Sequence, residues 1–105
     1  MAVETVSDAL FEDVKTYLDI TWTDEALDRK IRGLVSSGQA YLISKLGGFT
    51  DFESAGYPRT LLMEYVRYAR DGALDVFENN YKSMILAMQN QRAVDIYAEN
   101  AIQDQ

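Results

Sequence analysis

The chain has 105 residues, no cysteine, no histidine and a formal net charge of −7. That length fits one domain with a modest core and is too short for two, while the two missing residue types remove disulfides, thiolate nucleophiles, the commonest transition-metal ligands and the usual general base. So acidic a balance repels phosphate and argues against tight binding to DNA or to an anionic membrane. The charge is uneven, since Glu4, Asp8, Glu12, Asp13 and Asp19 face only Lys15 before Trp22. No stretch is apolar for long enough to span a bilayer, and Met1-Ala-Val-Glu4 lacks the basic start of a signal peptide. The chain is therefore expected in the cytoplasm of the cell that makes it.

The signals in chain order are helical. Ser7 is placed to cap a first helix with Asp8 in its first turn and Leu10, Val14, Tyr17 and Leu18 on one face, ending near Leu18. Asp19-Ile-Thr-Trp22 reads as a short connection, with Trp22 read as a core residue between helices ahead of the alternative, a binding hot spot. Thr23, followed by Asp24-Glu25, is expected to cap a second helix. There Leu27, Ile31, Leu34, Val35, Tyr41, Leu42 and Leu46 recur at helical spacing until Gly47-Gly48 stops it, giving roughly 35 Å of helix from Asp24 to Leu46. Gly33 and Gly38 lie inside this helix, where each costs about 1 kcal/mol relative to Ala, so they suggest close helix packing ahead of the alternative, a bend.

Phe49 to Gly56 has no helical stripe and reads as a loop anchored by Phe49 and Phe52. Pro58 suits the first turn of a third helix, expected over 58–78. Leu61, Leu62, Tyr65, Val66, Ala69, Ala73, Val76 and Phe77 should form its buried face, with Glu64, Arg67, Arg70, Asp71 and Asp75 outward and Arg67 paired with Asp71. The expected fold is thus all-α, a small bundle of three to four helices, with a core in residues 1–78.

Residues 79–105 are the least regular part. From Asn79-Asn80 onward the segment is apolar enough to need burial, yet Tyr81, Ile85, Met88 and Arg92 make a poor helical stripe, and Met84, Leu86 and Met88 alternate as in a strand. Two readings stay open: an arm, partly extended, that lies on a partner with Tyr81, Met84, Leu86, Met88, Val94, Ile96 and Tyr97 as its contacts, or a fourth helix with a polar tail that closes the domain's own core.

No catalytic, cofactor-binding or metal-ligating set emerges. Gly47-Gly48 follows a helix and lacks the Gly-Lys-Ser/Thr ending of a phosphate loop. Glu12-Asp13 and Asp24-Glu25 are adjacent, so their side chains diverge, and Asp24 with Asp28 supplies far fewer oxygens than a calcium site requires. Arg29, Lys30 and Arg32 are the only basic cluster and read as a surface network with Asp24, Glu25 and Asp28. An enzyme is not expected.

Several blocks together carry a family resemblance: Val14-Lys-Thr-Tyr17-Leu18-Asp-Ile20, Thr23-Asp-Glu-Ala-Leu27, Ile31, and Ala40-Tyr41-Leu42 ending at Gly47-Gly48. Tyr57-Pro58 with Leu61-Leu62, and Phe77-Glu-Asn-Asn-Tyr81 with Ile85-Leu86 and Val94, continue it. Over roughly residues 10–100 the chain resembles the head-tail connector (adaptor) proteins of tailed bacteriophages, except that Leu46-Gly47-Gly48-Phe49 stands where a more polar turn is usual. The resemblance implies a structural virion protein at the head-tail interface and no enzyme. Its expected partners are copies of itself in a ring, taken as dodecameric, the portal protein above, and a downstream head-completion or tail protein. DNA would pass through without specific binding, and neither membrane nor cofactor would be involved. A small monomeric helical module that binds or regulates one partner is the alternative.

Overall fold

The computed structural model describes residues 6–48 and 50–103. The expectations for Glu4, for Phe49 as a loop anchor and for the last residues of the tail, Asp104 and Gln105, lie outside the described residues. Four helices follow one another: α1 (Asp8–Tyr17), α2 (Glu25–Leu46), α3 (Tyr57–Arg70) and α4 (Leu74–Gln103), with no strand among the described residues. The all-α bundle expected from the sequence is the fold.

Local chemistry sets most helix ends. Ser7 caps α1, its Oγ accepting from the Leu10 N–H at 3.1 Å. The cap of α2 is Asp24 rather than Thr23: its carboxylate accepts from the Leu27 N–H at 3.0 Å and places negative charge at the positive end of the helix dipole. Gly47 ends α2 in the left-handed region at φ 82°, where a side chain would be strained. Pro58 lies in the first turn of α3, as expected.

The third helix is shorter than the expected 58–78. It stops at Arg70, the Ala73 N–H returns to the Tyr68 carbonyl at 2.8 Å, and Gly72 takes φ 71°. This left-handed residue turns the chain into α4, so Ala73 and Val76 leave the α3 face and Val76 is exposed. The expected Arg67–Asp71 pair does not form. Arg67 binds Glu64 one turn back at 2.7 Å, and Asp71 lies 3.5 Å from Arg70.

The core joins Leu10, Phe11 and Val14 of α1, Ile31, Val35 and Leu42 of α2, Leu61, Leu62 and Val66 of α3, and Phe77 and Ile85 of α4. Gly38 permits the closest approach, because a Cβ there would lie 2.7 Å from Leu62 Cδ1 and 2.8 Å from Tyr65 Cδ1. Gly33, expected to do the same, has nothing within 4 Å of such a Cβ. Trp22 and Tyr17 also depart from expectation, being 55% and 44% exposed. Trp22 contributes its carbonyl, which accepts from Lys15 Nζ at 3.0 Å, while Lys15 pairs with Asp28. Phe52 is buried and anchors its loop.

Candidate interaction surface

The fourth helix is one continuous element through the segment for which an extended arm was open. Its first half is held by the core. Phe77 is fully buried among Tyr41, Tyr65, Tyr68 and Tyr81, with ring centroids 5.1–6.3 Å away, which are favourable separations for tilted and stacked rings. Ile85 is buried, and Tyr81, Met84 and Met88 are half-buried against the same cluster. Two polar side chains then fasten α4 to the end of α2. Gln89 donates to the Lys45 carbonyl at 2.7 Å and Arg92 to the Leu46 carbonyl at 2.8 Å, satisfying carbonyls that the helix itself leaves open.

Beyond Arg92 every described side chain from Ala93 to Ala101 is exposed. The seven contacts expected for an arm therefore divide. Tyr81, Met84 and Met88 belong in part to the chain's own core, whereas Leu86, Val94, Ile96 and Tyr97 are 48%, 60%, 50% and 76% exposed.

A change of face explains the division. At about 3.6 residues per turn, Phe77, Tyr81, Met84, Ile85 and Met88 share the inner side of α4, and the same side continues as Arg92, Asp95 and Glu99. Leu86, Ala93, Val94, Tyr97 and Ala101 share the opposite side. After Met88 the inner side turns polar at Arg92, Asp95 and Glu99, with Ile96 on its flank beside Met88, Arg92, Gly47 and Gly48, while Val94 and Tyr97 put apolar surface on the side away from the bundle. Exposed singly, such residues would be ordinary, but aligned on one helix they form a surface suited to another helix.

A second feature is a buried carboxylate that the sequence placed outward. Glu64 on α3 is buried and accepts from Arg67 Nη2 at 2.7 Å, Arg67 Nε at 3.2 Å, Tyr81 Oη at 2.8 Å and Tyr17 Oη. Donation from Arg67, above all, holds the Glu64 carboxyl below its ordinary range, and the hydrogen bond that Tyr81 donates to Glu64 pushes its own phenol up to about 12. Each lone-pair direction has a donor, so the group is a structural tie among α1, α3 and α4 rather than a poised acid or base. Among the described residues no three acidic side chains are grouped to hold a metal ion, and no helix is long and apolar enough to cross a membrane.

Set against protein-family models, curated proteins and solved structures, the chain matches none. The functional reading therefore rests on the residues themselves, and on this surface first.

The basic cluster is dispersed by the fold. Arg32 reaches α1, where it pairs with Asp8 at 2.8 Å and covers the Phe11 ring at 4.1 Å, while Arg29 lies 3.5 Å from Glu25. Asp24 is engaged as a cap and Asp28 with Lys15, so the weak two-carboxylate cation site considered from the sequence is not assembled.

Proposed function

We propose that this protein is a structural subunit of a tailed-phage virion, which assembles with copies of itself into a ring below the portal, joins head to tail and extends the DNA exit channel. The observation that carries the reading is the distal half of α4, a helix that projects beyond its own core with an aligned apolar side. The order of helices and loops that resembles the head-tail connectors supports it. So does the shape: the chain extends 55 × 28 × 26 Å with a radius of gyration of 15.5 Å, against about 13 Å for a compact domain of this length. A wedge of this kind closes into a ring when each heterologous contact turns by a fraction of the circle. The acidic balance suits a conduit, since DNA would be repelled rather than retained.

Sedimentation of the purified protein, alone and mixed with the portal, tests the proposal. A closed oligomer, or one formed on the portal, is the expected result. A monomer that ignores the portal at every concentration would replace it with the monomeric helical binding module.

A further inference from the structure

We propose that copies of this chain join head to tail, the Trp22 loop of one copy entering the groove between α2 and α4 of the next. There Tyr41, Ile85 and Leu86 receive the indole, and Lys45 and Lys82 meet the carboxylates beside it. The inference rests on the ring reading and names the contact that would close the ring.

Trp22 is the chain's single tryptophan, and it stands 55% exposed on a connection that the fold fastens from behind. Ile20 is buried and its N–H donates to the Lys15 carbonyl at 2.9 Å, while the buried Lys15 ammonium donates to the Trp22 carbonyl at 3.0 Å. An aromatic side chain displayed on a fixed backbone is the chemistry of an interface anchor, because little freedom is lost when it docks. Its surroundings are acidic. Asp19, Asp24 and Glu25 are exposed around it, and residues 16–28 contain no cation. A surface that receives this loop must therefore be apolar at its centre and basic at its rim.

The other end of α2 offers such a surface. Tyr41 and Lys45 of α2, with Glu78, Lys82, Ile85 and Leu86 of α4, line a groove of about 450 Å³. Lys45 Nζ lies over the Tyr41 ring at 5.5 Å, and neither Lys45 nor Lys82 forms an ion pair among the described residues. Glu78, the acid in the lining, is engaged with the Tyr41 hydroxyl, which donates to it. Two unpaired cations beside an apolar groove thus face a tryptophan set among three carboxylates.

One chain carries both halves of this pair, and they cannot meet within it, since Asp24 and Lys45 are about 32 Å apart along α2. A second copy is therefore the occupant that the charges select. Because the two surfaces differ, each copy engages two neighbours, and such heterologous contacts close into rings. Leu86 also begins the exposed side of α4 that continues through Ala93 and Tyr97, so a copy seated in the groove reaches distal α4 as well. Local attraction here opposes the repulsion expected between subunits of charge −7.

The single tryptophan reports the contact directly. As dilute monomer is concentrated into oligomer, its emission should move to shorter wavelength and acrylamide should quench it several times less efficiently. Trp22→Ala, Leu86→Arg and the double variant Lys45→Glu/Lys82→Glu change exposed side chains, so each should keep the helical spectrum and unfolding midpoint of the monomer. Each should raise the concentration needed for assembly about tenfold or more. Mixed together, Trp22→Ala and Lys45→Glu/Lys82→Glu should form a one-to-one dimer and nothing longer, since one intact loop and one intact groove remain between them.

An oligomer that keeps an exposed indole and assembles unchanged with Trp22→Ala and Leu86→Arg overturns this contact and leaves the ring standing. A mixture that forms no dimer, although the wild-type protein assembles, overturns the pairing of loop with groove. Trp22→Ala that loses the portal but keeps self-association overturns it in favour of the portal as the partner of Trp22. A wild-type protein that stays monomeric, alone and with the portal, overturns both the contact and the ring.

Discussion

The Tyr81 hydroxyl donates to Oε1 of Glu64 at 2.8 Å, tying α4 to a carboxylate buried by α3. Tyr17 donates to the other oxygen of the same group from α1, so three helices meet at one charge. Burying that carboxylate is tolerable only because donors surround it. Tyr81→Phe should therefore lower stability by about 1–2 kcal/mol in denaturant unfolding, and Glu64→Ala by more, since it frees donors on two other helices.

The same group sets the acid response. The folded-state pKa of Glu64 is depressed below its ordinary 4.5, so its contribution is fully present above that value and is lost as pH falls through the lower folded pKa. Tyr81 works in the other direction. Its pKa rises from 10.0 to about 12, so its contribution is present below 10 and is lost as pH climbs toward 12. Urea midpoints measured across both ranges should fall at each end, and the acid loss should shrink in Glu64→Gln.

Two glycines of one helix should respond oppositely. Gly38→Ala drives a methyl to within 3 Å of Leu62 and Tyr65 and should destabilise by about 1–3 kcal/mol. Gly33→Ala meets open space and should stabilise the monomer by up to about 1 kcal/mol. Leu62→Ala, at a fully buried site, should cost about 2–5 kcal/mol, and Leu34→Ala less, because Leu34 is only partly buried. Thermal or denaturant unfolding of the four variants checks the order.

Truncation separates the two halves of α4. Removing residues 93–105 deletes no side chain of the described core, the described ones from Ala93 to Ala101 being exposed, so the shortened protein should still unfold cooperatively while losing the proposed self-association. Removing 79–105 should abolish cooperative unfolding as well, since it strips Tyr81, Ile85 and Met88 from the Phe77 cluster. Circular dichroism melts and sedimentation of both truncations give the answer.

DNA should not bind measurably to the free subunit in a mobility-shift titration at low salt. Arg32 is engaged with Asp8 and Phe11, leaving too few cations on one face to release many counterions. Tight binding that weakens steeply with salt and is abolished when Arg29, Lys30 and Arg32 become Gln would instead indicate a nucleic-acid-binding protein.

By itself the sequence determined the features that depend on neighbours along the chain: Ser7 and Gly47 as helix ends, Pro58 in a first turn, and the buried stripes Leu10-Val14, Ile31-Val35-Leu42 and Leu61-Leu62-Val66. Caps and stripes are local, because a side chain three or four residues away satisfies or extends them. Gly72 was a local signal too, but the apolar pattern on either side ran past it.

Tertiary structure decided the rest. Glu64 reads as a surface acid until Tyr17 and Tyr81 arrive from two other helices to make its burial affordable. The last third fitted no single period because its inner apolar side ends at Met88, while Val94 and Tyr97 lie on the other side of the helix. That change becomes intelligible only once Gln89 and Arg92 show where the chain's own bundle ends.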